Sequence, residues 1–250
     1  MPALATYALR LGDDALVLAH RLGEWVTRAP QIEEDVALGN IGLDLLGQAR
    51  TLLTYAGEVE GAGRTEDDFA YLREERDFLN VVLVEHPNVD FAVSMARQLF
   101  FSTYQLALYD RLRSSSDETL AGVSAKAVKE VDYHRDHATQ WVLRLGDGTD
   151  ESHQRMQAGI ERVWPFVDEL FQTDDLEQAL VADGVAVDSS TLRERWDRYV
   201  DSVLAEATLT RPEGLRTPPL RGRAGVHTEA MGYLLAEMQH LHRSHPGASW

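Results

Sequence analysis

The chain has 250 residues, 44% of them hydrophobic, and a formal net charge of −17, so it is long enough to bury a substantial core. It contains no cysteine, which excludes disulfides, thiolate metal sites and cysteine nucleophiles. The acidic balance argues against general binding of nucleic acid or anionic membrane. Any metal would need histidine and carboxylate ligands.

Targeting signals are not evident in the sequence. No apolar run reaches the roughly 18 residues that a membrane span needs. The N-terminus lacks the basic region and apolar segment of a secretory signal. These observations predict a cytoplasmic protein.

Apolar residues recur at intervals of three and four along most of the chain, which predicts an all-α protein. Two pairs of long helices are each joined by a short connection, so we expect two antiparallel hairpins, at about 4–57 and 91–145. Two such hairpins are the layout of a ferritin-like four-helix bundle with a crossover. We predict one ferritin-like helical domain over residues 1–250, with accessory helices at about 65–84, 151–172, 191–209 and 226–243.

Local signals refine these boundaries. Thr65 and Asp68 resemble a helix N-cap, and Pro165 should kink the helix in which it lies. Residues 181–187 could form a small hairpin, but a loop is favoured because no sheet is predicted for it to join. The proline-rich stretch 210–225 is predicted to be an extended connection.

A polar residue interrupts the apolar stripe of the second long helix, which runs Leu38, Ile41, Leu45, Gln48 and Leu52. In the fourth long helix, Val131 and His134 occupy the corresponding place. Bundles that hold two irons or manganeses use a Glu-x-x-His pair on each of two helices and a Glu from each of the other two. Both pairs of positions here hold something else.

The neighbouring helices offer no replacement ligands. Counting back from the turns at about 1.5 Å per residue places Ala15 level with Leu45, and 97–102 level with Val131. No acidic residue lies between Asp90 and Asp110. Asp14 and Asp13 lie about 100° and 200° from Ala15 on the stripe, so they are expected to face solvent.

Other interpretations of these residues stay open. Gln48 is expected to be a buried amide, and His134 could be a core histidine. Glu130, His134 and His137, with Asp44, could form a mononuclear metal site. Glu237 and His240 form the one true Glu-x-x-His sequence, which is near chance expectation, and the nearby residues His242 and His245 fit an exposed helix end.

Four long segments resemble a known family: YALRLGDDALVLAHRLGEWVTRAP, EEDVALGNIGLDLLGQARTLLTYAGE, AKAVKEVDYHRDHATQWVLRLGDGT and GRAGVHTEAMGYLLAEMQHL. They span Tyr7 to about Leu241 and are similar to the ferritin-like subunits of the bacterial multicomponent phenylacetyl-CoA epoxidase. The similarity is strongest to the non-catalytic C-type subunits. In the catalytic A subunit, the ligand pairs fall where Leu45, Gln48, Val131 and His134 stand here.

The resemblance implies a structural subunit without catalytic, cofactor-binding or metal residues of its own. It implies a heteromer with the A subunit, which carries the diiron centre, and with a reductase that uses NADPH, flavin and iron–sulfur centres. The complex would use O2 to epoxidise the ring of phenylacetyl-CoA during aerobic phenylacetate degradation. A homodimer of the chain alone stays open. The alternative function is a ferritin-like oxidase or oxygenase with an atypical His/carboxylate site.

Two further groups of residues are candidates for contacts. The connection carries Arg211, Arg216, Arg221 and Arg223. Of these, Arg221 and Arg223 could contact coenzyme A phosphates, whereas a salt-bridged loop is the favoured interpretation. Trp25, Phe100, Phe101 and Tyr104 are candidates for the interface with the A subunit, although core packing is favoured for each.

Overall fold

A computed structural model of the chain describes residues 1–215 and 220–248. Over these ranges the regular structure is helical, apart from one isolated β-bridge between Arg221 and Val226. The all-α prediction is therefore confirmed. The α-helices are α1 (Ala3–Gly23), α2 (Ile32–Glu60), α3 (Val82–Glu85), α4 (Phe91–Leu112), α5 (Glu118–Gly146), α6 (Asp150–Val163), α7 (Asp175–Ala182), α8 (Arg193–Glu206) and α9 (Glu229–Ser244).

The chain forms two compact units. The N-terminal unit comprises Met1–Pro87 and Leu220–Trp250, and the central unit comprises Asn88–Pro219. Each unit contains one of the two predicted long hairpins. The assignment of residues 1–250 to a single ferritin-like domain stays a prediction.

The hairpin of the N-terminal unit is formed by α1 and α2, which pack along their length. The acidic residues Glu33, Glu34 and Asp35 lie in the first turn of α2, where they complement the positive end of the helix dipole. Asp35 also accepts hydrogen bonds of 2.8 and 3.0 Å from the amide of Thr27, which fixes the turn between the helices. At its other end α2 stops at Gly61, which takes the left-handed conformation with φ of 71°.

The segment between this hairpin and the central unit differs from the prediction of one helix over 65–84. Thr65 and Asp68 do form the expected reciprocal cap. A π-helical turn then covers Asp68–Leu72, a 3-10 turn covers Glu75–Asp77, and α3 is only four residues long. The physical reason is that side chains from α1, from α9 and from residues 221–227 bind the backbone of this segment, as described below.

In the central unit α4 pairs with α5, and both α6 and α8 pack against the same two helices. Aspartate side chains cap both hairpin helices: Asp90 accepts from the amide of Val93 and Asp117 accepts from that of Leu120. Because several helices surround α4, nearly all of its side chains are buried.

An aromatic cluster fills the centre of this unit. Trp196 donates a 2.8 Å hydrogen bond from Nε1 to the carbonyl of Phe100, and its ring lies 5.5 Å from that of Phe171. Phe100, Phe101 and Tyr104 are all buried. They therefore belong to the core, the alternative that the sequence favoured, and are not an exposed docking surface. Trp25, in the N-terminal unit, is half-buried.

The remaining boundaries follow the sequence signals in part. Pro165 lies in a 3-10 turn, Trp164–Phe166, so the predicted helix over 151–172 ends at Val163 instead of continuing through a kink. The sequence pattern did not predict α7. Residues 181–187 form the end of α7 and a loop through Gly184, with φ of 73°, as favoured. Of the connection over 210–225, residues 216–219 lie outside the described ranges.

No helix in the described part of the chain is both long and apolar enough to cross a bilayer.

The turn at Gly222 yields a stability prediction. A Cβ atom at this residue would lie 1.9 Å from the carbonyl oxygen of Asn80. We expect Gly222→Ala to lower the free energy of unfolding by about 3 kcal/mol, because the backbone of the neighbouring segment must move. Chemical denaturation measures this change.

Gly47 in α2 is the matched control, because a Cβ there meets no atom within 4 Å. Gly47→Ala should raise the free energy of unfolding by about 0.5–1 kcal/mol. Equal effects of the two substitutions would contradict the close packing at Gly222.

Candidate functional site

The N-terminal unit contains one of the two predicted degenerate ligand pairs. Leu45 and Gln48 on α2 are both buried, and so is Ala15 on α1. The first helical hairpin thus turns an aliphatic side chain, a neutral amide and a methyl group inward at these positions. None of the three can supply the carboxylate or imidazole that iron or manganese would need.

The central unit contains the second pair. Val131 and His134 on α5 are fully buried. Over the predicted level, 97–102, α4 presents buried polar groups without carboxylates, including Arg97 and Ser102. The Nη2 atom of Arg97 donates a 2.6 Å hydrogen bond to the Asn88 side chain. A buried guanidinium on this helix is unfavourable for binding a cation nearby.

The alternative metal ligands do not form a cluster either. Among the residues that the structure describes, no group of three or more His, Asp or Glu side chains is placed to hold one ion. Glu130 lies 3.7 Å from Lys126, and the rings of His134 and His137 lie beside that of Tyr133, at 6.4 and 6.2 Å. Asp44 on α2 also belongs to no such group within the described ranges.

The residues of the Glu-x-x-His sequence and the histidines that follow it lie at the surface, as expected. Glu237, His240 and His245 are exposed. His242 stacks on the ring of Tyr71, with centroids 4.6 Å apart. The Glu-x-x-His sequence therefore lies on an open surface.

The expectation that Asp13 and Asp14 face solvent is wrong. Both side chains are fully buried in the N-terminal unit. Residues 73–85 and 221–230 pack against the faces of α1 that α2 leaves uncovered. Asp13 and Asp14 make polar contacts to these two segments, as does Arg21 through the carbonyls of Glu85 and Ala230, and buried carboxylates require such partners.

Asp13 binds the first of these segments. Its carboxylate forms a two-pronged ion pair with the guanidinium of Arg73, with one Nη1–Oδ2 distance of 2.9 Å. It also accepts a 2.8 Å hydrogen bond from the amide of Leu79. The Arg73 guanidinium lies 4.0 Å from the centre of the Phe78 ring. Because its remaining donors bind the carbonyls of Phe69 and Asp77, Arg73 orders the irregular segment from within.

Asp14 binds both segments. Its oxygens accept hydrogen bonds of 2.7 and 3.1 Å from Arg223 and one of 2.8 Å from the amide of Val81. Burial raises the pKa of Asp14 to about 6 even though the Arg223 charge acts to lower it. The carboxylate thus pairs with its cation at a desolvation cost.

The four arginines of the proline-rich connection therefore have different surroundings. Arg223 points inward to Asp14 and to the carbonyls of Arg10 and Leu79, as the salt-bridged alternative expects. Arg211 bridges two acids of α8, Asp197 and Asp201. Arg221 is exposed, and Arg216 lies outside the described residues. A contact between Arg221 or Arg223 and coenzyme A stays a prediction.

A third buried ion pair joins α3 to the start of α9. The Nδ1 atom of His227 lies 2.7 Å from the Glu85 carboxylate, which also accepts from the Asn80 side chain and the amide of Thr228. The Nε2 atom of His227 lies 2.9 Å from the carbonyl of Phe78, which can only accept a hydrogen bond, so this nitrogen carries a proton. Burial acts to lower the pKa of His227, but the hydrogen bond with Glu85, the Glu85 charge and the hydrogen bond to Phe78 together outweigh it, so the pKa is raised.

Sequence reasoning missed this buried ionic network because its members are far apart in sequence. Arg73 and Arg223 lie 60 and 209 residues after the aspartates that they bind. One local signal was available: in LGDDALVLA the two acids are surrounded by apolar residues on every helical face. Acidic residues on a solvated helix face usually have other polar residues beside them, so the apolar surroundings of this pair indicate burial.

The comparisons with known proteins bear on the whole chain. The family model described as phenylacetic acid catabolic protein matches residues 1–250. The chain belongs to this family. A relative from Escherichia coli (strain K12), the C subunit of the 1,2-phenylacetyl-CoA epoxidase, is 50% identical over 252 residues, with 100% of both chains covered. The family expected from the four sequence segments is thereby confirmed.

The buried His227–Glu85 pair predicts a pH dependence of stability in this family member. The raised pKa means that the contribution of protonated His227 is fully present below its ordinary pKa of about 6.5 and is lost as the pH rises through the folded value. At pH 6, His227→Gln should lower the free energy of unfolding by about 3 kcal/mol, because Glu85 loses its cationic partner. The difference from the wild type should shrink as the pH rises from 6 through the raised pKa of His227 in the folded chain.

Denaturant titrations at several pH values measure this difference. His240→Gln serves as the control, since His240 is exposed on α9 and its replacement should change neither stability nor pH dependence. A stability difference for His227→Gln that stays constant with pH would contradict a protonated histidine in the folded chain.

The ligand positions predict the metal content of the purified chain. Because Leu45, Gln48 and Val131 offer no carboxylate or imidazole, we expect only substoichiometric iron and manganese, which chelation should remove without loss of helical structure. Elemental analysis and circular dichroism measure the two quantities. Tightly held stoichiometric iron or manganese would favour the alternative, an oxidase or oxygenase with its own site.

Proposed function

We propose that this chain is the structural, non-catalytic subunit of a phenylacetyl-CoA epoxidase complex and that it binds and supports the diiron A subunit. Two observations together carry the proposal. The chain is 50% identical over its full length to the C subunit of such an epoxidase. The two pairs of positions where a dimetal bundle of this kind would carry its ligands hold Leu45 with Gln48 and Val131 with His134. They supply one imidazole and no carboxylate, whereas a carboxylate-bridged dimetal centre uses about four carboxylates.

The proposal assigns the chemistry to other subunits. The A subunit would hold the diiron centre, and a reductase with flavin and iron–sulfur centres would deliver electrons from NADPH. This chain would contribute neither a metal nor a redox group. We further propose that it works in the cytoplasm, where an acyl-CoA substrate is available.

An exposed apolar groove between α1 and α2 is the surface that fits a docking role. The groove has a volume of about 600 Å³. Three aliphatic side chains of α2 line it while exposed to solvent: Val36 at 59%, Leu43 at 66% and Leu46 at 47%. Contiguous apolar surface of this kind is typical of subunit interfaces, because removing it from water is favourable.

The shape of the groove favours an incoming helix. Gly39 and Gly42 on α2 and Ala19 and Gly23 on α1 line its floor. Small residues let a helix backbone approach closely, so that its side chains can interdigitate with those of the groove. Since the relative is named as one subunit of an epoxidase, we assign the groove to a helix of the A subunit.

A polar group on the wall of the groove supports a specific partner. The Nε2 atom of His20 is buried and has no hydrogen-bond partner within the described residues. Burial lowers the pKa of His20, so the ring stays neutral at physiological pH. A neutral imidazole can donate or accept one hydrogen bond through Nε2. If the ring turned toward the groove on docking, a bond with the incoming helix would satisfy this atom.

Co-purification with the A subunit tests the docking role. We expect the double substitution Leu43→Asp and Leu46→Asp to weaken the complex about tenfold or more, because two buried apolar contacts are replaced by charges. Co-expression with a tag on the A subunit, followed by a measured dissociation constant, gives the effect. The control is Val89→Asp, since Val89 is also apolar and exposed but lies outside the groove.

Activity of the assembled enzyme tests the support role separately. The A subunit with its reductase should turn over phenylacetyl-CoA only when this chain is present. Full activity of the A subunit without this chain would contradict the support role. Normal complex formation by the Leu43/Leu46 variant would instead show that the interface lies outside the groove, and the support role would be unaffected.

A further inference from the structure

A cluster of arginines is exceptional in a chain whose net charge is −17. In the central unit, Arg135 on α5 and Arg195 and Arg198 on α8 line one pocket of about 470 Å³ together with helix α4. Thr103, Tyr199 and Ser202 lie in the same lining, and the hydroxyls of Thr103 and Ser202 donate to backbone carbonyls of their own helices. The pocket therefore brings together three guanidinium groups from two helices, beside a third helix.

The helices place these groups by simple periodicity. Arg195, Arg198 and Ser202 are spaced by three and four residues, so they share one face of α8. The Arg135 guanidinium lies 4.4 Å from the centre of the Tyr199 ring. Tyr199 is held in turn by a 3.0 Å hydrogen bond between its hydroxyl and that of Thr139. The side chains of Arg135 and Tyr199 are thus held in place before any ligand binds.

The acidic partners leave much of the positive charge available. Arg198 lies 3.8 Å from Glu194, and both side chains are more than 70% exposed, so this ion pair contributes little. Arg195 bonds Asp110 at 3.0 Å while 54% exposed, and that carboxylate is shared with Arg113. The bond from Arg195 lowers the pKa of Asp110, which makes Asp110 the anion that a ligand would displace or share.

Arg135 carries the clearest sign of a missing partner. Its Nη2 donates to Asp132 at 2.8 Å, but its Nε is buried and has no hydrogen-bond partner in the part of the chain that the structure describes. Leaving a buried donor unpaired costs about 1–3 kcal/mol. Because Nε is buried, an anion would reach it only if the guanidinium turned toward the pocket, and that contact would recover part of the cost.

We propose that this pocket binds the phosphate groups of a small phosphorylated ligand. Guanidinium forks match the paired oxygens of phosphate, and three of them in one pocket suit a multiply charged phosphate or pyrophosphate better than a single carboxylate. The overall negative charge of the chain opposes a nucleic acid. The phosphates come either from coenzyme A, which carries both a pyrophosphate and a 3′-phosphate, or from free pyrophosphate and nucleotides.

Titration calorimetry of the full-length chain with pyrophosphate at low ionic strength tests the site. We expect saturable binding that weakens as salt is added. The double substitution Arg195→Gln and Arg198→Gln should weaken it about tenfold or more, and both side chains are exposed enough for the fold to tolerate the change. Replacing the same pair with lysine should weaken binding less, because the charge is kept while the bidentate geometry is lost.

Arg155→Gln is the matched control, since Arg155 is an exposed arginine of the same unit that pairs with Glu151 and does not line the pocket. It should bind pyrophosphate as the wild type does. Arg135→Gln provides an independent variant of the third guanidinium, with its thermal unfolding measured alongside. Absence of binding, or equal binding by the Arg195/Arg198 double variant and the wild type, would overturn the proposal.

Further titrations with coenzyme A, dephospho-coenzyme A and ADP distinguish the sources of the phosphate. Tighter binding of coenzyme A than of its dephospho form, abolished in the double variant, would assign the pocket to the 3′-phosphate of a coenzyme A thioester. Equal binding of pyrophosphate, ADP and coenzyme A would support a general phosphate site. This inference concerns the central unit alone, so its failure would leave the proposed support role unaffected.

Discussion

The N-terminal unit depends on two adjacent buried carboxylates. Asp13 and Asp14 follow each other on α1, and successive helical residues diverge by about 100°. One carboxylate therefore binds Arg73 and the amide of Leu79, while the other binds Arg223 and the amide of Val81. Because each ion pair is removed from water, losing one partner would leave an uncompensated buried charge. The pairs thus specify where two irregular segments must lie.

This constraint also explains the irregular backbone between α2 and α3. In a helix over 65–84, the backbone amides and carbonyls would hydrogen-bond to each other. In the structure, several of these backbone groups bind side chains of distant residues instead. Gln239 on α9 donates to the carbonyls of Ala70 and Arg73, and Arg223 donates to that of Leu79. These tertiary hydrogen bonds to the backbone take the place of the local bonds of a continuous helix. Periodicity cannot reveal such an exchange, because the partners are far apart in sequence.

The long helices could be predicted because their signals are local. The apolar stripe containing Leu45 and Gln48 and the caps at Asp90 and Asp117 lie within a few residues of the structures that they specify. The burial of Asp13 could not be predicted in the same way, since a residue off the main stripe is exposed only if nothing else covers that face. The arginine pocket was missed for a related reason: Arg135 and Arg195 come from separate helices, and no spacing in the sequence links them.

The location of the buried charge fits the proposed division of labour, in which a partner subunit would carry out the chemistry. A dimetal bundle places carboxylates inward and neutralises them with metal ions. Around Ala15, this chain also has buried carboxylates, but Asp13 and Asp14 are neutralised by arginines. A guanidinium has no open coordination position and undergoes no redox change, so the ion pairs provide fixed structure where metals would provide reactivity. Retaining buried charge in this form favours a rigid helical framework, and such a framework suits a subunit whose task is to hold a reactive neighbour in place.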